Sequence, residues 1–554
     1  MEATHLLVAL ELILAYLYVL NLFKLSYVIL IQGVVWAHDY EFKPLGRGFY
    51  GLTVLIVIAL ALGICLYRAG GFKVVKPSKL TLYILTALTL INIPPLIYWF
   101  LYALDLNPLK YILRQYVWAS ELDACIFHVY TSAYPLFLLA TLYSCLLLFI
   151  SKAFKRCVRL KIRYSKALNA VSGCNSSDNV LIRKLGFAFT LLLSIILPII
   201  PYLPSINPDF KPVSVDIRYY SMWLGNMLTA DCWSAIEYAF YGESGYRPLY
   251  LLILYTLAKL GAPKGAVLNL EALFVSPLFT LAVFFLARRL SGNDLYGILA
   301  SLAGVLGFNM TVGMFTGSFA AWFALIPLYM CIALTPDLKK GVKRNLAYCL
   351  ISSIAIQYVH PWTWFILMTV LTLYLMSRLP NLFKKHHYHQ ADKYLAIILA
   401  VNAIIYVLRT TTTPIYESFL EFSSVSQRLG LEQLLHQDSN LQRLSTTYVG
   451  GLFNNPLQMT LALIGILSFI KRGDDYSKLI MLWVAVISAI FPFSHLVIQY
   501  HLLLMTPFPI LIAEGLWALS RLLARFDSKL PKLFIIFFIV SSLTYTVRAL
   551  CNLI

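Results

Sequence analysis

The chain has 554 residues, 60% of them hydrophobic and only 12% charged, with a mean hydropathy of +0.76. Soluble domains carry roughly twice that share of charge, so the composition excludes a soluble globular protein and predicts an all-α polytopic membrane protein. The formal charge of +19 does not point to nucleic acid. Of the 44 Lys and Arg residues, 30 fall in the short loops 68–79, 152–184, 288–294, 337–344, 378–393, 471–478 and 521–532, against 7 of the 25 acids. That is the positive-inside pattern of a multi-pass protein.

Apolar runs of about 20 residues, the length that crosses a bilayer as a helix, recur along the whole chain. The first, Leu6–Trp36, is too long for a cleavable signal. With spans near 50–67, 80–101 and 134–151 it predicts an N-terminal four-span module, 1–151, to which the sequence assigns no role. The basic, polar segment 152–184 reads as a cytoplasmic linker. Further spans are predicted near 185–204, 268–287, 295–312, 317–335, 345–360, 361–377, 394–408, 456–470, 479–496, 501–520 and 532–550, about 15 in all. Holding the basic loops inside leaves two large outer loops, 205–267 and 409–454.

Few ionisable residues fall within the predicted spans. Glu121, Asp123 and His128 read as a solvated outer face, and the HHYH run at 386–389 as part of an inner loop rather than a metal site. Glu514, inside a predicted span, is costly to bury and calls for a partner within the bundle or a transport role. The nine cysteines show no CxxC spacing and read as small apolar fillers.

Within the first outer loop, RPLYLLILYTLAKLG offers only 13 residues from Pro248 to Leu260. Counting it as a crossing would place Arg288 and Arg289 outside, so it reads as an interfacial helix on the outer face. The stretch VDIRYYSMWLGNML, from Val215, has apolar residues at 217, 220, 224, 227 and 228. This stripe predicts a short amphipathic helix, 215–228, with Asp216 at its N-terminal end. Asp216 is then either a helix cap or a group free to react.

The order of these elements carries a resemblance. A span ending in PYLPSINPDF is followed by Asp216-Ile217-Arg218-Tyr219, then by Arg247-Pro248-Leu249-Tyr250 and a span with a basic end. The series resembles the GT-C glycosyltransferases, membrane enzymes that take sugars from polyprenyl-phosphate carriers, and among them the aminoarabinose and protein O-mannosyl transferases. It covers about 185–551. Val215 stands where the relatives have a first acid, one proline follows Arg247 rather than two, and GMFTGSFAAWF, from Gly313, lacks the second acid of many relatives. The last departure leaves a divalent metal without a pair of loop ligands, so the metal requirement stays open. The absent WWDYG-type signature argues against block transfer of an oligosaccharide to asparagine.

The resemblance implies a GT-C-like transmembrane bundle with outer-face interfacial helices in a cell membrane. It implies transfer of a sugar from a polyprenyl-phosphate carrier to a lipid, glycan or protein acceptor at the outer face. Such a reaction needs a base for the acceptor hydroxyl, the role of Asp216, and positive charge for the departing phosphate. Arg247 leads for that role, with Arg218, Tyr219, His360, Arg409 and His501 as further substrate-binding residues. Three of them also have a structural reading: Arg247 as a snorkelling cation, His360 in QYVHPWTWF and His501 in VIQYHLLLM as packed interfacial residues. The alternatives are a lipid-linked sugar flippase or other polytopic transporter, and a non-catalytic assembly subunit.

Overall fold

A computed structural model describes residues 179–242, 247–385, 390–412, 456–524 and 527–553, with scattered positions between 86 and 104. Apart from those scattered positions, the four-span module lies outside the described residues, as do most of the 152–184 segment, the HHYH run and most of the 409–454 loop. Every regular element among the described residues is a helix. Helix α1, Asn179–Ile196, runs into a 3-10 stretch, Leu197–Tyr202. Four short helices follow: α2, Ile217–Thr229; α3, Cys232–Tyr241; α4, Pro248–Lys259; and α5, Lys264–Asn269. The remainder of the first half is α6, Glu271–Ser291; α7, Asp294–Val305; α8, Phe308–Thr316; and α9, Phe319–Leu334. The second half comprises α10, Lys343–Val359; α11, Pro361–Lys385; α12, Gln390–Thr412; α13, Pro456–Arg472; α14, Asp475–Ile490; α15, Leu496–Met505; α16, Phe508–Ala524; and α17, Leu530–Cys551.

Among the described residues six stretches are long and apolar enough to cross a membrane: Arg183–Tyr202, Lys264–Ser291, Asp294–Thr316, Phe319–Lys340, Gln390–Thr410 and Leu530–Cys551. A seventh is obtained if α15 and α16, bent by 55° across Thr506-Pro507, count as one broken span. Helix α4 is not among them. Its 12 residues reach about 18 Å at 1.5 Å per residue, well short of a hydrocarbon core of about 30 Å.

The bundle is organised around α7 and α8. The apolar window of Asp294–Thr316 is 94% buried, against 33% for Gln390–Thr410, which shows Ile397, Ile404, Val407 and Leu408 on the outside. The stretch predicted as the span 295–312 is helical over 294–316 but interrupted at Leu306-Gly307. The break frees the Leu306 carbonyl, and two distant side chains satisfy it: Gln458 Nε2 donates at 2.5 Å and Thr546 Oγ1 at 3.0 Å. Asn309 just beyond donates to the Leu504 carbonyl at 3.0 Å. Broken backbone inside a bundle persists only where such partners exist. Helices α13 and α16 cross at paired glycines: a Cβ on Gly465 would strike the Leu511 carbonyl, and one on Gly515 the Leu461 carbonyl. Small residues at a crossing let apolar helices approach backbone to backbone.

One end of the bundle gathers the basic turns and ties them with ion pairs. Arg288 meets Asp294 at 2.7 Å, Lys340 and Arg289 meet Asp337, and Arg378 meets Asp392 at 2.6 Å. Glu514 is engaged close by: Tyr296 donates to Oε2 at 2.9 Å, Ser468 donates to Oε1 at 2.6 Å, and Arg472 lies 3.9 Å away. The candidate site lies at the opposite end.

Candidate functional site

The chain leaves the 3-10 stretch and reaches α2 through a loop folded on Asn207. The Asn207 amide donates to the Lys211 carbonyl at 2.7 Å, and its oxygen accepts the Lys211 N–H at 2.8 Å. Val215 and Asp216 then donate their backbone N–H groups to the Phe315 and Thr316 carbonyls, both at 3.1 Å. These carbonyls end α8, and the corner beyond is Gly317, at φ 70°, where a Cβ would collide with the Ser214 side chain. The GMFTGSFAAWF segment thus sits beside Asp216, supplying backbone and a glycine turn in place of a second acid.

Asp216 occupies the cap position of α2 without capping it. Its φ of −82° and ψ of −11° are helical, and its side chain accepts no bond from the first N–H groups of the helix. Asp231, at the start of α3, shows the contrast: extended at φ −66° and ψ 169°, it accepts from Trp233 N at 2.9 Å and Ser234 N at 3.0 Å. Burial pushes the Asp216 carboxyl above the usual carboxylate range, while the positive charges of Arg247 and then Arg218 pull it part of the way back. Among the described residues its oxygens take no hydrogen bond, and a carboxylate of raised basicity in that state is suited to accept a proton.

Arg247 stands immediately before α4, where Pro248 begins the helix, and is half-buried. Its guanidinium donates to the Tyr220 hydroxyl and lies 5.7 Å from that ring. Its charge acts on Asp216, Tyr250, His360 and His501. His360 joins α10 to α11 and is buried; its Nδ1 accepts the Thr363 N–H at 3.3 Å and lies 2.8 Å from Thr363 Oγ1. Thr363 Oγ1 in turn donates to Met505 Sδ at 3.3 Å. The His501 ring centre is 6.2 Å from that of His360, and His501 Nδ1 is buried without a hydrogen-bond partner among the described residues.

The remaining sequence-predicted residues divide. Arg218 and Tyr219 lie together on the exposed side of α2, with Nη2 donating to the Tyr219 hydroxyl at 3.0 Å and the guanidinium 4.8 Å from the ring centre. Arg409 is held on α10: it donates to the Gln357 carbonyl at 2.5 Å and lies 4.9 Å from the Tyr358 ring, fastening α12 one turn before His360. Among the described residues no group of three or more His, Cys, Asp or Glu is placed to hold a metal ion.

Two functional-looking residues escape the sequence. Glu271, in LNLEALFV, is a buried acid that accepts the hydroxyl of buried Tyr250. An acid in the first turn of a helix is common because it complements the helix dipole, so nothing in the pattern distinguishes this one. Tyr250, within the RPLY element, gave the only hint.

Helices of membrane-spanning length and a half-buried acid beside a shared guanidinium define an all-α membrane protein with a polar site at one end of its bundle. No protein-family model matches the chain, and no curated protein matches it.

Proposed function

We propose that the chain is a polytopic GT-C-like glycosyltransferase of about 15 spans, working at the outer face of a cell membrane on a polyprenyl-phosphate-linked sugar. The observation that carries the reading is the uncapped Asp216 carboxylate facing the field of Arg247, which His360 and His501 share. Asp216 takes the proton of an acceptor hydroxyl as its oxygen bonds to the anomeric carbon. The bond from that carbon to the phosphate oxygen breaks, and the polyprenyl phosphate leaves with its charge against Arg247. A guanidinium fork suits phosphate oxygens, and the buried His360 ring stands in the same charge field. The acceptor is a lipid, glycan or protein. Glu514, the acid a transporter would draw on, is occupied by Tyr296 and Ser468.

The test is transfer by the purified full chain in lipid nanodiscs, given a panel of polyprenyl-phosphate monosaccharides with glycolipid and peptide acceptors. Release of polyprenyl phosphate coupled to acceptor glycosylation is the expected result. Movement of the intact donor between leaflets without glycosidic cleavage would place the chain with the flippases.

A further inference from the structure

Glu271 has no part in the reaction above, yet its position is demanding. It opens α6 at 5% exposure, with Oε1 buried and without a partner among the described residues. Burying a carboxyl is unfavourable unless a specific bond requires it, and the bond here is the one from Tyr250 on α4. The Tyr250 ring meets Tyr220 on α2 edge-on, with centres 5.6 Å apart. Tyr220 is itself buried, held edge-on by Trp223 at 5.4 Å, and its hydroxyl accepts from Arg247. A carboxyl, two rings and a guanidinium thus form one continuous series across three helices.

We propose that Glu271 is a positioning residue: through Tyr250 and Tyr220 it sets the direction of the Arg247 guanidinium. The hydroxyl bond to Glu271 fixes how far the Tyr250 ring slides along α4. That ring's edge fixes the Tyr220 plane, and the Tyr220 oxygen fixes the fork of Arg247. Aromatic pairs prefer such edge-to-face geometry and resist leaving it. The phosphate-facing role of Arg247 rests on the function proposed above; the relay itself does not.

Arginine footprinting with phenylglyoxal on the full chain in nanodiscs, read by peptide mass spectrometry, measures how firmly Arg247 is held. Tyr250→Phe and Glu271→Ala should speed Arg247 modification about tenfold, the scale of one hydrogen bond to a charged group. Arg409, buried on α12 against α10, should stay protected and so report an intact fold. Glu271→Gln keeps a side-chain carbonyl that accepts the Tyr250 hydroxyl, and should restore wild-type protection. Unchanged Arg247 modification in Tyr250→Phe overturns the relay, as does a Gln variant as reactive as the Ala variant. Binding of a polyprenyl monophosphate separates the two ideas. If Arg247 loosens while that affinity stays constant, the phosphate-facing role fails and the relay stands.

Discussion

At the basic end of the bundle Asp294, Asp337, Asp392, Asp474, Asp475 and Glu514 each lie within 4.0 Å of an Arg or Lys. At the other end the two enclosed acids, Asp216 and Glu271, have no such ion pair among the described residues. The same residue types therefore do different work. A carboxylate locked to a cation joins helices and has little capacity left to take up a proton. Asp216, half-buried in the field of arginines that do not close on it, has both oxygens without a hydrogen bond among the described residues, whereas Glu271 spends one on Tyr250. The difference lies in pairing rather than in charge, and of the two unpaired acids only Asp216 also lacks a side-chain hydrogen bond among the described residues.

Breaking the paired end should affect stability and spare chemistry. Asp337→Ala strands Arg289 and Lys340; removing one partner of a buried pair costs about 3–5 kcal/mol, less here because Arg289 is a third exposed. The expected result is a clear fall in unfolding temperature with donor affinity and turnover per folded molecule unchanged. A loss of turnover at constant stability would contradict the division between the ends.

Gly317 tests the seam that holds Asp216. Gly317→Ala combines a left-handed backbone with a collision at Ser214, and such strain costs on the order of 1–3 kcal/mol. The loop bearing Asp216 should shift from the α8 carbonyls, so turnover should fall further than stability does. A drop in stability alone would mean the seam is only structural.

Arg247→Gln has the smallest expected effect on folding and sharpens the electrostatics. Donor affinity should fall about tenfold, near 1.4 kcal/mol for one lost charge-assisted contact. The pH profile gives an independent sign. A base works deprotonated, so activity is lost as pH falls through the Asp216 pKa, which already lies above the usual carboxylate range. Arg247 lowers that pKa, and its removal should move the acid limb to higher pH. An unmoved limb would show that Arg247 does not act on the base.

Much of the site was legible because its residues are chemically explicit and sit where helices end. Asp216 heads an amphipathic stripe, Arg247 precedes Pro248, and His360 precedes Pro361; each sequence pattern marks a helix boundary. The bend between α15 and α16 likewise follows from Pro507, although 501–520 reads as an unbroken span. What stayed hidden depends on partners far along the chain. The interruption at Leu306-Gly307 is tolerated because Gln458 and Thr546 reach its carbonyl, and neither lies near it in sequence. Glu271 looks like any acid opening a helix until Tyr250 is placed against it. Arg409, read as a substrate ligand, has carbonyl and ring contacts on α10 that no local pattern announces.

The central claim is that Asp216 is a base rather than a cap, and Asp216→Asn measured for both turnover and thermal unfolding tests it most directly. Asn caps helices about as well as Asp, and Asp216 makes no capping bond to lose, so the unfolding temperature should hold. Asn cannot take the acceptor's proton, and turnover should fall by about 10²–10⁴-fold, the usual contribution of a general base, with donor affinity retained. Near-normal transfer by a stable Asn variant would contradict the account. The search for the base would then pass to Glu237, exposed on α3, or Glu243, outside the described residues, since Asp209 is paired with Lys211 and Asp231 caps α3.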